Sequence, residues 1–482
     1  MLSVALCVAM VITVLSVMSG FLDMVRSAGR VLIGDVVVQG YLEGFPDYEQ
    51  LLDLIRADAD EGVEAACATV EGFGLLKMPD GNITPVPLVG IDGSSFNAVT
   101  GYEHTLYWRP LTEEEQRDID PRDWRAAGND HLSPDAARKQ KILESLAEEG
   151  ITLKTYDGLP GAVLGIEIYR GNHRLKLHSY DISGIPMPGR DITISVIPIT
   201  REGGFVQAES RVLKVVNEFS VGRYDIDSSQ VFVPFELLQK MLKMQPLSKR
   251  GMVKRDTEGR PILDEFDEPI YETMRKPGRV SKILVKGRDG VDPVLLSKSI
   301  RRILDDNASS HPSWRSLQVL TWEEQVQDFI GAVKKETALV TTLFSIISLV
   351  SVFLVLAIFW TIVQQKTRDI GILRAVGASR LGIMWLFLRY GLIIGIIGAV
   401  LGGLIAYSIV WNINPIHEFI GRATGTYIWD PKVYYFNKLP NTVNPVNALI
   451  IMGGGMLFAV LGALIPAIRA AFVDPVASLR YE

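Results

Sequence analysis

Four stretches of this chain contain no Asp, Glu, Lys or Arg: Met1 to Leu22, Thr337 to Gln365, Tyr390 to Ile416 and Leu439 to Ile468. A bilayer core about 30 Å thick is crossed by roughly 20 helical residues, so each stretch is long enough to span one. They predict four transmembrane helices, one at the start of the chain and three near its end. Residues 23–336, between the first and second, carry most of the charge and must fold in water. The averages conceal this division, because 22% charged residues and a mean hydropathy of +0.20 would suit an ordinary soluble protein.

Charge is as uneven as hydropathy. Residues 336–482 sum to +4 and residues 1–335 to −10, which leaves the polar region without the basic face that a nucleic-acid partner requires. Between the second and third apolar stretches, Lys366, Arg368, Arg374 and Arg380 face Asp369 alone, and Arg469 and Arg480 follow the fourth. Basic loops stay on the cytoplasmic side, so the polar region is expected outside the cytoplasm. No basic residue precedes the first apolar run and no clean cleavage site follows it, which favours an uncleaved helix over a signal peptide. Cys7 lies in that run and Cys67 in the polar region, so a disulfide between them is not expected.

The polar region opens with a Val-rich strand, GDVVVQG (34–40), then a helical pattern through Leu51, Leu52 and Ile55, and strands at 63–73 and 83–91. Its far end is built alike, with a strand at 281–287, an amphipathic helix from Pro293 to Leu304 and a strand at 316–320. Each end reads as half of a small α/β unit. The middle is β-rich, with strands at 191–199 and 205–219 and a strand running into a helix at 231–242. Segments 111–150 and 245–280 are charge-dense and read as exposed helices or loops. Residues 321–336 have helical spacing and are expected to continue without a break into the second apolar stretch.

Catalytic signals are missing. There is no Gly-Lys dipeptide and hence no phosphate-binding loop of the GxxxxGK[ST] type, no GxSxG elbow, and no His or Cys spacing that suits a metal. Glu113-Glu114-Glu115 reads as a helix surface, and Arg389 as a side chain reaching the headgroups. In the third apolar stretch Gly391, Gly395, Gly398 and Gly402 fall four apart in pairs, the pattern for close helix packing in lipid. In the first, long deformable side chains such as Met10 and Met18 suit a surface that meets lipid or an acyl chain. The segment from Lys366 to Arg380 is short, basic and amphipathic, with Ile370, Ile372, Leu373 and Val376 offering apolar contacts and Gly377 ending its helix.

Five motifs carry a family resemblance: VLSVMSGF (14–21), FSVGRYDIDSSQVFVPFELLQKML (219–242), KTRDIGILRAVGAS (366–379), KVYYFNKLP (432–440) and IPAIRAAFVDPVASLRYE (465–482). Together they resemble the permease subunits of ABC transporters of the macrolide-exporter (MacB- and FtsX-like) superfamily. Within it the chain looks most like the lipoprotein-releasing permeases of the LolC/LolE family, which extract lipoproteins from the bacterial inner membrane. The lack of a basic segment before the first helix and the insertions at 111–150 and 245–280 depart from that pattern.

The resemblance implies a membrane protein of four transmembrane α-helices with a large α+β extracytoplasmic domain inserted between helices 1 and 2. The first helix would be 1–22, followed by a periplasmic domain at 23–336 with α/β ends at 34–92 and 280–320 and a β-rich middle at 159–244. Helices at 337–365, 383–411 and 447–469 would follow, with a cytoplasmic coupling segment at 366–380, a periplasmic loop at 412–446 and a cytoplasmic tail at 470–482. It further implies a non-catalytic subunit with no cofactor of its own, ATP and Mg being bound by a partner ABC ATPase dimer. That ATPase would dock on Lys366, Arg368, Asp369, Ile370, Leu373, Arg374 and Gly377. A second permease subunit, identical or not, would complete the membrane part among the membrane lipids. Acyl chains of the lipoprotein substrate would enter against Met10, Val14, Met18, Phe344 and Ile347. A periplasmic lipoprotein carrier would be hooked by Pro186, Pro188, Gly189 and Arg190. Export of drugs or peptides, or a regulator that passes ATPase state to periplasmic partners without transport, are the alternatives.

Overall fold

The computed structural model describes residues 1–30, 32–40, 43–57, 62–126, 134–176, 179–182, 186–198, 207–253, 271–424, 439 and 441–474. The motif at 432–440 apart from Leu439, most of the tail and the centre of the 412–446 loop lie outside these residues. The chain divides into two compact units, one built from Met1–Val25, Asp328–Asp430 and Lys438–Glu482, the other from Arg26–Gln327.

The second unit is organised by one nine-stranded sheet. Its strands are β1 (Val36–Gln39), β2 (Val63–Lys77), β3 (Ile83–Ile91), β4 (Gly161–Gly165), β5 (Asp191–Val196), β6 (Glu209–Phe219), β7 (Val231–Pro234), β8 (Lys282–Gly287) and β9 (Gln318–Thr321). They lie in the order β9-β1-β8-β2-β3-β7-β4-β6-β5, and β5 pairs again with β2. The pairs β3–β7 and β4–β6 are parallel and the others antiparallel.

The first half of β2 belongs to a flat α/β layer. Val36 and Val38 point to one face, where Leu51 and Ile55 of helix Tyr48–Ala57 and Leu296, Ile300 and Leu304 of helix Pro293–Asn307 cover them. Val37 points to the other face, against Phe96 and Val99 of helix Gly93–Thr100. A strand covered on both faces reads as a continuous apolar run, which is what Val36-Val37-Val38 is. The two ends of the domain meet here, since β1 pairs with both β8 and β9.

The second half of β2 turns into a closed ring of strands. Residues Gly74–Lys77 pair with Ile83–Val86 on one side and with Thr193–Val196 on the other, so β2-β3-β7-β4-β6-β5 returns to its start. Leu76, Leu88, Leu164, Ile194, Val215 and Val231 fill the interior and are at most 1% exposed. At the closure a Cβ on Gly74 would lie 2.8 Å from the Ser195 carbonyl oxygen and 2.8 Å from Leu88 Cδ1, so only glycine lets the strands come this near.

Segment 111–150 is not simply a solvated surface. Its first helix, Glu113–Asp118, opens with a capping box in which Thr112 and Glu115 satisfy each other's backbone N–H groups. Arg109 also pairs with Glu115 and, as the largest cause, holds that carboxyl down at about 2. Beyond it Asp120, Asp123 and Arg125 turn inward and are buried. Arg125 meets Asp123 at 3.0 Å, and the same carboxylate accepts from the Tyr107 hydroxyl and the Tyr180 N–H. Two opposite charges two residues apart enter the interior already paired, which a reading based on charge density alone misses. Segment 245–280 contributes a hairpin, Leu247–Val253 with Tyr271–Lys276.

The first unit contains four helices long and apolar enough to cross a membrane: Leu2–Leu22, Ile330–Gln365, Arg380–Trp411 and Pro445–Ala471. The helix approaching the second is interrupted. Trp322–Gln325, opened by a Thr321/Glu324 capping box, ends at Val326 (φ −102°, ψ 11°), and a new helix runs from Gln327 to Gln365. The expected unbroken run from 321 is therefore corrected. The four glycines of the third apolar helix serve two partners. A Cβ on Gly391 or Gly395 would meet Ala463 or Ala459 of the fourth helix at 2.7 and 3.1 Å. On Gly398 or Gly402 it would meet Val4 at 2.9 Å or the Ala5 carbonyl oxygen at 2.6 Å, both on the first helix.

Candidate functional site

Within the membrane unit the first, second and fourth apolar helices surround a cleft of about 240 Å³. The first helix supplies Val4, Cys7, Val8, Val11 and Leu15, one face at helical spacing. The second supplies Phe344, Val352 and Val355 together with a polar stripe, Thr341, Ser345, Ser348 and Ser351. From the fourth come Gly454, Gly455 and Phe458. A Cβ on Gly454 would meet nothing within 4 Å, so its missing side chain leaves room rather than permitting contact.

The polar stripe is largely satisfied from within. Thr341 Oγ1 donates to the Thr337 carbonyl at 2.7 Å and Ser345 Oγ to the Thr341 carbonyl at 2.8 Å, the back-bonding open to hydroxyls on a helix. Ser348 Oγ lies 3.0 Å from Cys7 Sγ, tying the second helix to the first. A lining with its hydroxyls so occupied accepts an apolar chain without stranding polar groups.

Of the five residues that the sequence offers for acyl contact, one lines this cleft. Phe344 lines the cleft, whereas Met10, Val14, Met18 and Ile347 do not, and Met10 and Ile347 are exposed. One residue on a helix is a rotation of roughly 100°, which turns Met10 and Val14 to the edge of the face formed by 4-7-8-11-15, while Met18 shares that face one turn beyond Leu15 and outside the cleft. The legible signal was the Thr/Ser stripe at 341, 345, 348 and 351.

At another end of this unit the segment from Lys366 to Arg380 forms a helix, Thr367–Ala375. It stops at Val376, one residue before Gly377, whose φ of +108° is a conformation that favours glycine. Ser379 then caps the third apolar helix by accepting from the Gly382 N–H at 3.0 Å. Ile370 is the anchor, 3% exposed among Phe359, Val363, Ile383, Phe387, Ala467 and Ala470. Leu373 is not buried with it. Ile372, Leu373 and Val376 stand exposed, Val376 at 83%, beside exposed Lys366, Arg368 and Asp369. Lys366 pairs with Asp369 at 2.9 Å, and the half-buried Arg374 keeps its Nε without a hydrogen-bond partner. The result is an apolar knob with a basic rim.

The expected carrier hook is a stitched turn. Among Pro186, Pro188, Gly189 and Arg190, the Gly189 N–H donates to the Val215 carbonyl at 2.7 Å, and the Arg190 carbonyl accepts from the Val215 N–H at 2.8 Å. Met187 between them is buried in the strand ring. Pro186, Gly189 and Arg190 stand exposed around it. Residues 183–185 of the same motif lie outside the described residues.

The motif at 219–242 has a structural role in the strand ring. Asp227 is buried and accepts from the backbone N–H groups of Val221 and Gly222 at 2.8 and 3.0 Å, closing the turn that the motif encodes. Arg174 reaches the same carboxylate at 3.2 Å. Burial nonetheless pushes the Asp227 carboxyl up to about 7. Glu218, also fully buried, is pushed up to about 7 by the same cause, its oxygens accepting from Trp108 Nε1 and Asn172 Nδ2 at 2.8 Å each.

The FtsX-like permease C-terminal family matches residues 341–475, the stretch that holds the knob and the second to fourth apolar helices. The lipoprotein-releasing system transmembrane protein LolC of Xylella fastidiosa is 29% identical over 164 residues, covering 34% of this chain and 40% of that protein. The macrolide export ATP-binding/permease protein MacB of Campylobacter jejuni is 26% identical over 282 residues, 56% of this chain and 40% of that one. The chain thus spans two fifths of the length (40%) of these curated relatives. The periplasmic region of MacB from Actinobacillus actinomycetemcomitans aligns with 64% of this chain and 97% of its own at 11% identity and a TM-score of 0.29. Residues 341–475 therefore match an FtsX-like permease domain, and the chain is similar over part of its length to LolC and to MacB.

Proposed function

We propose that this chain is the membrane subunit of an ATP-driven ABC transporter of the bacterial inner membrane, with its sheet domain in the periplasm, and that it extracts lipoproteins and passes them to a periplasmic carrier. The observation that carries this reading is the knob on helix Thr367–Ala375, where three exposed apolar side chains sit beside a basic rim and are braced from behind by Ile370. An exposed apolar cluster on so short a connection suits insertion into a partner. An ATPase that binds ATP and Mg would be that partner. Paired permease subunits, identical or not, would give each ATPase of a dimer its own knob.

The cleft supports an acylated cargo. Each CH₂ moved from lipid to water costs roughly 0.8 kcal/mol, so a lipoprotein leaves the bilayer only with nucleotide energy and a sheltered path. The cleft offers such a path at the lipid-facing side of three helices. The test is release of an acylated lipoprotein from proteoliposomes holding the chain and its ATPase, with ATP and a soluble acceptor. Release at the same rate without nucleotide refutes the reading. A second reading, export of a macrolide-like or peptide cargo, is favoured by the greater length of the MacB match, 282 residues against 164 for LolC. Acceptor-independent transport of such a compound in the same vesicles would establish it in place of the first.

A further inference from the structure

Below the cleft the second and fourth apolar helices close on each other. At Gly462 a Cβ would lie 2.9 Å from the Val352 carbonyl oxygen and 3.0 Å from Val355 Cβ, so the backbones touch. Seven residues, two turns, further along the fourth helix, Arg469 Cζ sits 4.0 Å from the centroid of the Trp360 ring on the second. Arg380, at the head of the third helix, stands in the same way 4.9 Å from the ring of Phe472. Ile370 of the knob helix belongs to the same buried cluster as Phe359 and Val363 on the second helix and Ala467 and Ala470 on the fourth. A push on the knob is therefore delivered at the seam between the second and fourth helices, where a wedge either carries both together or drives them apart.

We propose that Arg469 and Trp360 are a latch across this seam, positioning residues that make the second and fourth helices answer the knob as one body. Latched, displacement of helix Thr367–Ala375 moves both walls of the cleft together. Unlatched, Ile370 prises the seam open and the displacement is spent there. Arginine over the face of tryptophan is the strongest protein pairing of its type, and more so away from water. The consequence for transport rests on the transporter reading; the latch itself rests only on the membrane unit.

The experiment uses the full chain in lipid nanodiscs with Cys7→Ser and Cys67→Ser and spin labels on cysteines placed at the exposed positions Phe353 and Leu457. Trp360→Leu and Arg469→Gln should broaden and lengthen the label distance, whereas Trp360→Phe and Arg469→Lys, which keep a ring and a cation, should hold it near the parent's. The Trp360→Leu/Arg469→Gln double variant should be no worse than the worse single. Independent anchoring of the two side chains at the headgroups would instead give additive effects and would overturn the latch, as would unchanged distances in both disruptive variants. With the ATPase in proteoliposomes, the disruptive variants should release about five-fold less cargo per ATP, the scale of one such contact. Widened distances with unchanged cargo per ATP would overturn its part in coupling. If the parent complex releases nothing with ATP, the transporter reading fails and the latch is judged by the distances alone.

Discussion

Replacing Gly402 with alanine adds one methyl group where the first and third apolar helices touch. That carbon would lie 2.6 Å from the Ala5 carbonyl oxygen and 2.8 Å from Val8 Cβ. A relaxed carbon–oxygen contact is about 3.3–3.6 Å, so the helices must part by most of an ångström, and the obstacle is backbone, which cannot rotate away. Overpacking of this kind costs about 1–3 kcal/mol. Glycine to alanine also gains about 1 kcal/mol of helix propensity, which would mask part of the loss. Gly453→Ala is the matched control, since a Cβ there meets nothing within 4 Å and the propensity gain is the same. The difference between the two variants isolates the contact. Detergent-titrated unfolding in mixed micelles, followed by circular dichroism, should place Gly402→Ala about 1–3 kcal/mol below Gly453→Ala. A difference within about 0.5 kcal/mol, the ordinary error of such comparisons, would refute the close approach of the first and third helices.

Three further outcomes are expected. Glu218 has a folded-state carboxyl near 7 against an ordinary value of 4.5, so the stability it contributes is present below about 4.5 and is lost as pH rises through 7, a change of about 3 kcal/mol. The hydrogen-exchange protection factors of strand β6 should fall between about pH 4.5 and 7 in the parent and much less in Glu218→Gln; equal pH dependence of protection in both would contradict the assignment. Arg374→Glu or Gly377→Leu, the latter forcing a side chain onto a φ of +108°, should uncouple ATP hydrolysis from release while membrane insertion is kept, and normal coupling in both would remove the knob from the mechanism. An acyl photoprobe in membranes should label Val11 and Phe344 and spare Met10 and Ile347; the reverse pattern would move the acyl surface to the exposed side of the first and second helices.

The four apolar helices are legible because exclusion of charge is a one-dimensional signal, readable without knowing any partner. Their ends depend on caps: Asn444 accepts from the N–H groups of Val446 and Asn447 and Pro445 takes the first turn, so the fourth helix starts there and not at Leu439. The face of the first helix that lines the cleft is not legible, because a helix apolar all round has no amphipathic phase to read, whereas the second helix marks its own with the Thr/Ser stripe. Strands β1, β8 and β9 could each be found from their own pattern. Closure of β2 onto β5 could not, since Gly74 announces a close approach but not the strand that makes it. Burial of Asp123 with Arg125 escaped for a related reason: the pair is local in sequence, but the cavity that takes it is built by Tyr107 and Tyr180 from elsewhere.

Strand β1 lies between β8 and β9, with Val37 opposite Leu284 on one side and Leu320 on the other. Both neighbours come from the last part of the domain. During synthesis Val36-Val37-Val38 therefore follows the first apolar helix early, has no ladder to join until residues near 285 have been made, and is flanked on both sides only once residues near 320 have followed. The strand that completes the layer ends at Thr321, and the second apolar helix begins at Ile330. Closing of the α/β layer and insertion of the second helix are thus consecutive events on the growing chain. Throughout that interval an adhesive valine strand stays without its full cover, which makes synthesis, rather than the finished fold, the stage at which this layer is most open to wrong pairing.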